Sequence, residues 1–256
     1  MLKKLIKYDL IWINKIMLIY FIISIIICTL TRIASLNTST SIGNIIYQVL
    51  KGISISCFAS VLINSVIRVW VRFRNSLYKD ESYLTHTLPI SKCTLYNSKI
   101  ISSLISVFIS LIIILISFII AFLNKDLINT IKMIFNNNSF IIIGMILTVI
   151  LEVFYMIHAG ILGILIGYKS NNNSLLKSVF IGIILYFVMQ LIILGIVYII
   201  GFFNTDISVL FKEASNTIMD SSFRTLILAV DILYLVFIII MYFIGKKIFN
   251  KGVNVE

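Results

Sequence analysis

The chain has 256 residues, 60% of them apolar and only 12% charged, and its mean hydropathy is +1.10. A folded protein of this length buries roughly 70–75% of its chain surface and covers the rest with polar groups. This composition therefore excludes a water-soluble globular domain, a disordered chain and a disulfide scaffold, and the net charge of +11 points to membrane topology rather than to a nucleic-acid partner.

A membrane span needs about 20 mostly apolar residues. Six stretches qualify: about 12–31, 53–72, 100–123, 140–167, 178–203 and 225–245. The expected fold class is an all-α polytopic membrane protein, a single transmembrane domain over residues 1–256 with short amphipathic interfacial helices. A transmembrane barrel is a poor alternative because its strands alternate apolar and polar, whereas Leu111–Ile120 is nearly continuously apolar. With the N-terminus inside, 15 of the 21 Lys and Arg fall on the cytoplasmic side, so both termini are expected there.

In chain order, the first ten residues carry Leu2, Leu5, Ile6 and Leu10 on one helical face and Lys3, Lys4 and Lys7 elsewhere. They are expected to form a short helix in the inner interface, leading into an uncleaved first span. The stretch from Arg72 to Ile100 is the largest cytoplasmic element and the richest in charge, with Asp80 and Glu81 as adjacent acids. Leu77, Leu84 and Leu88 give an apolar stripe to a short helix. Pro89 ends it, because proline lacks the backbone donor. Ser91 caps the next helix, which runs from near Lys92 to about Leu123. The product is a long helix, a short exposed knob, a proline break and another long helix.

Outside the membrane on the other face, Leu127, Ile128, Ile131, Ile134 and Phe135 recur at helical spacing. So do Ile207, Leu210, Phe211, Ala214 and Ile218. Both segments are expected to be amphipathic interfacial helices, and the element at about 204–224 also suits a lid or re-entrant hairpin. The Asn runs at Asn136–Asn138 and Asn171–Asn173 are expected as loop tips. The abundance of Ile, Asn and Lys with a single Pro resembles AT-rich bacterial codon usage.

Within the spans, Glu152 and Asp231 are ionisable groups in lipid, which are costly and usually face the bundle interior or a wet cavity. They could line a substrate path or simply hydrogen-bond between helices. His158 and Gln190 have the same two readings, with interhelical bonding favoured. Ala159, Gly163 and Gly167 form a small-residue face on span four, suited to close helix packing within one subunit or at a dimer seam. Cys28, Cys57 and Cys93 follow no metal or redox spacing and are expected to be reduced. No phosphate-cradling G-x-x-x-x-G-K-[ST] motif is present, so no cofactor or ATP site is expected on this chain.

The segment with Asp80, Glu81, Leu84, Thr87-Leu88-Pro89, Ser91-Lys92 and Lys99 resembles the cytoplasmic connection between spans two and three of ABC-2 type transporter permeases. The string from Asp80 to Pro89 is especially similar to small six-span permeases of Gram-positive bacteria, several of them associated with peptide antibiotic export or self-protection. Ser82 stands where that family frequently has Gly. The resemblance implies a multi-pass permease subunit in the bacterial plasma membrane, paired with a second permease as homodimer or heterodimer. A coupling segment at about 73–99 would meet a separate ATP-binding subunit through Tyr78, Asp80, Glu81, Leu84, Thr87, Leu88 and Pro89. It also implies a re-entrant outer element before span six. Two other readings stay open: a non-transporting scaffold or sensor that docks a cytoplasmic partner through the same knob, and a secondary transporter or channel using Glu152 and Asp231.

Overall fold

A computed structural model describes residues 2–79, 81–170, 172–203 and 219–252. They form seven helices: α1 (Leu2–Leu36), α2 (Ser41–Tyr78), α3 (Ser82–Thr87), α4 (Lys92–Phe122), α5 (Lys125–Gly167), α6 (Ser174–Phe203) and α7 (Met219–Asn250). No strand occurs among the described residues. Six of these helices are long and apolar enough to cross a membrane; the exception is α3. The chain is a multi-pass helical membrane protein.

The helices overrun the expected spans. Residues 2–10 are the opening turns of α1 and not a separate interfacial helix. Nothing between Lys7 and Trp12 breaks a helix, and extending one adds a hydrogen bond for each residue fixed. At 1.5 Å per residue α1 is roughly 52 Å long, against a hydrocarbon core of about 30 Å. The segment 127–135 likewise belongs to the 43-residue α5, continuous with span four. The Asn run that follows it, Asn136–Asn138, is helical too and not a loop tip. The expected outer element at 204–224 lies outside the described residues, except for 219–224, which open α7.

Capping follows local chemistry. Thr40 accepts the Gly43 N–H at the start of α2 (3.1 Å), and Ser91 accepts the Thr94 N–H at the start of α4 (3.2 Å), each satisfying one orphan donor of the first turn. Leu88, which precedes Pro89, is extended at φ −64°, ψ 134°, as the clash with the proline ring demands.

The structure divides into two compact units, Met1–Thr130 and Ile131–Glu256. In the first, α1 packs against both α2 and α4, and α2 also meets α3 and α4. The buried stripe of α1 is Asp9, Ile13, Met17, Phe21, Ser24, Cys28 and Thr31, one residue every three or four, which is one helical face. The facing stripe of α4 includes Ser102, Ser103, Ser106, Ser110, Ser117 and Ala121. Lipid tails are as apolar as leucine, so helices in a membrane associate through close approach of small residues.

In the second unit, Leu151, Tyr155 and Leu162 of α5 pack with Met189 of α6 and with Tyr234 and Met241 of α7. Close approach again decides the geometry. A Cβ added at Gly163 would lie 2.7 Å from the Ser178 carbonyl oxygen and 2.8 Å from the Gly182 nitrogen. Gly167 packs as tightly on Ser178, and the main-chain oxygen of Ala159 lies 3.7 Å from a Cβ placed on Gly182. The face formed by Ala159, Gly163 and Gly167 is thus occupied by α6 of the same chain.

Candidate functional site

The site begins with α2, which ends at Tyr78 because Lys79 leaves the helical region at φ −122°, ψ −143°. The chain turns through backbone bonds from the Glu81 N–H to the Asn75 carbonyl (3.3 Å) and from the Ser82 N–H to the Lys79 carbonyl (2.7 Å). All described non-glycine residues except Asn173 keep negative φ, so Ser82 meets no requirement for the left-handed backbone that Gly favours. Helix α3 then runs for six residues. The imidazole Nε2 of His86 lies 3.2 Å from the Leu77 carbonyl oxygen and ties α3 back to α2.

The outward surface of this knob is apolar. Tyr83 is 76% exposed, Leu84 67% and Leu88 44%, and Thr87 and Pro89 are exposed beside them. Two expectations are corrected. Leu77 is not on the short helix; it is the fully buried end of α2. Tyr78, expected among the contact residues, is buried in the same turn, whereas Tyr83 is the exposed aromatic of the knob. Asp80 lies outside the described residues.

Glu81 does not point away from the protein. Its carboxylate accepts from Nη1 of Arg72 at 2.6 Å. The same guanidinium donates Nε–H to Oδ1 of Asp9 on α1 at 2.7 Å, and Lys99 Nζ of α4 donates to that Oδ1 at 2.8 Å. Arg72 also sits over the Trp12 ring, 5.2 Å from its centroid, an arrangement that favours a cation. Four charges from α1, α2, α4 and the start of α3 therefore form one neutral network. The Asp9 side chain is 2% exposed and that of Glu81 41%. The two ends differ in energy accordingly: removing one partner of a buried pair costs about 3–5 kcal/mol, whereas a solvent-facing pair contributes about 0–1 kcal/mol.

Beyond the network the α1–α4 seam stays polar. Ser106 donates to Asn14 Oδ1 at 3.0 Å, Ser24 donates to the Ser117 hydroxyl at 3.3 Å, and Arg32 donates to Asn124. Sequence reasoning missed Asp9 and this seam. The signals were present: an acid among four lysines, and serines at 98, 102, 106 and 110 in helical register.

The second unit holds the other candidates. Glu152 on α5 accepts from the Tyr186 hydroxyl (2.9 Å) and the Gln190 amide (3.4 Å), both on α6, and Gln190 reaches the Tyr234 hydroxyl on α7 at 3.3 Å. Asp231 accepts from Thr148 at 2.6 Å and is buried. His158 is buried with Nδ1 2.8 Å from the Phe154 carbonyl of its own helix. Each in-span carboxylate thus has hydrogen-bond donors on neighbouring helices. Glu152→Gln is expected to change stability by less than about 1 kcal/mol, since an amide oxygen still accepts, whereas Glu152→Leu forfeits two interhelical bonds of about 0.6–2 kcal/mol each. Thermal unfolding of the purified protein in nanodiscs reads the difference. Cys28, Cys57 and Cys93 are free thiols. No family model, curated protein or solved structure matches this chain.

Proposed function

We propose that the chain is the membrane-spanning subunit of an ATP-driven ABC exporter. In this reading it resides in the bacterial plasma membrane with both termini cytoplasmic and pairs with a second permease subunit, identical or not. A separate ATP-binding subunit docks on α3, and closure of that motor on ATP tilts α2 and α4. The substrate class is hydrophobic, a peptide or a lipid-like molecule, in keeping with the apolar helices.

The observation that carries the reading is the placement of α3. A six-residue helix between two long apolar helices, with the residue that follows it, presents Tyr83, Leu84 and Leu88 outward, while Glu81 just before it is anchored to Arg72. A solvated loop that merely joined two spans would gain nothing from displaying three large apolar side chains, which mark interaction sites when contiguous. The resemblance of Asp80–Pro89 to the coupling segment of ABC-2 permeases agrees with this placement.

Affinity purification of the full-length protein from native membranes, with identification of every co-purified chain, tests the proposal. An ATP-binding cassette subunit is the expected companion. With Leu84→Asp and Leu88→Asp together, its recovery should fall at least about tenfold, since buried apolar anchors dominate interface energies, while insertion of the permease is unchanged. Undiminished recovery would remove α3 as the docking element. Capture of a different cytoplasmic protein in place of an ATPase would favour the scaffold or sensor reading.

A further inference from the structure

Arg72 stands between two carboxylates that differ in every relevant respect. Asp9 is buried and on a long helix; Glu81 is partly in water and immediately precedes the exposed knob. Both cations of the network, Arg72 and Lys99, bond to the same oxygen of Asp9. The other oxygen, Oδ2, is buried and has no hydrogen-bond partner. An unpaired carboxylate oxygen beside a guanidinium is an unused half of a bidentate pair, because the fork of arginine matches both oxygens of a carboxylate.

The geometry points to Arg72 as an exchangeable positioning residue for α3, with Asp9 and Glu81 competing for its guanidinium. In the held arrangement Nε is on Asp9 Oδ1 and Nη1 is on Glu81. In the released arrangement the guanidinium turns end-on, so that Nη1 leaves Glu81 and together with Nη2 meets the two oxygens of Asp9, and Glu81 returns to water. A hydrogen bond to Oδ2 then takes the place of the one to Glu81, so α3 leaves its seat without stranding a buried cation. Lys99 remains on Asp9 in both arrangements. The other hydrogen bonds that tie α3 and Glu81 back run to the Leu77, Asn75 and Lys79 carbonyls at the end of α2, and leave α3 hinged there. This deepens the docking reading by naming what restrains the docked element.

Competition makes a prediction of sign. With Asp9 gone, both Arg72 and Lys99 are left to Glu81, and α3 is held more firmly. With Glu81 neutral, Arg72 turns to Asp9 and α3 is freed. A nitroxide on Tyr83→Cys, in full-length protein with Cys28→Ala, Cys57→Ala and Cys93→Ser, reports α3 directly in nanodiscs. Glu81→Gln should enlarge the mobile spectral fraction and Asp9→Asn should shrink it. Asp9→Asn with Lys99→Met, which keeps one buried cation against one carboxylate, should also shrink it and covers the case in which Asp9→Asn alone does not fold. Mobility that rises in the Asp9 variants as in Glu81→Gln would show that Asp9 steadies Arg72 instead of competing for it, and unchanged spectra in all variants would show no ionic restraint; either result overturns the inference. The readout needs no ATPase, so its failure is separable from failure of the docking proposal.

Discussion

Asp9→Leu is expected to destabilise the protein by about 3–5 kcal/mol, because it removes the buried partner of Arg72 and Lys99 and leaves the two buried cations only the partly exposed Glu81 as counter-charge. The size of the effect follows from the geometry: both nitrogens lie within 2.8 Å of one oxygen, and the Asp9 side chain is 2% exposed. Lys99→Met should cost distinctly less, since Asp9 then keeps Arg72 and its charge stays paired. The triple replacement Asp9→Leu, Arg72→Met, Lys99→Met should recover much of the loss of Asp9→Leu, because apolar side chains of similar volume avoid the desolvation that a buried ion cluster carries. Chemical or thermal unfolding in a single detergent orders the three variants. Equal losses for Asp9→Leu and Lys99→Met would mean that Asp9 is not the hub.

Gly163→Val is the second large effect. The added Cβ would meet a backbone carbonyl oxygen at 2.7 Å and a backbone nitrogen at 2.8 Å on α6. Neither can swing aside as a flexible side chain would, so α5 and α6 must separate along their crossing. Overpacking of this kind costs about 1–3 kcal/mol or more. Gly195→Val supplies the control, because nothing lies within 4 Å of a Cβ there and a substitution into open space is worth about 0.5 kcal/mol or less. Unfolding midpoints of the two variants compared in one lipid system decide the matter. Identical midpoints would show that the crossing has slack.

The membrane architecture was legible because length and apolarity alone define a span. The start of α4 at Lys92 followed from Ser91 and Pro89, whose effects are local. Helix ends in the interface were not legible: nothing in residues 2–11 or 125–139 forbids helix, and the bilayer edge leaves no mark on the backbone where the chain has no reason to stop. The knob was foreseen in position and not in detail. Leu77 and Leu84 share a spacing that a continuous helix would place on one face, but the turn at Lys79 puts one inside and the other out. Asp9 escaped notice because its partners lie 63 and 90 residues away in sequence; an isolated acid has no pattern, and only the fold brings Arg72 and Lys99 to it. Glu152 and Asp231 were conspicuous as charges in lipid, yet their hydrogen-bond donors, Tyr186, Gln190 and Thr148, are ordinary residues until three helices bring them together.

The serine face of α4 has a mechanical corollary. Ser98, Ser102, Ser103 and Ser110 donate to carbonyls of their own helix three or four residues back, so their hydroxyls are spent before they reach α1. Between the buried Leu95, Tyr96, Ile100 and Val107, α4 offers its neighbour short serine side chains, crossed by a few directional bonds at Asp9, Asn14 and Ser24. Where serines line the seam, a small displacement would break those bonds singly, whereas interlocked leucines would have to disengage together.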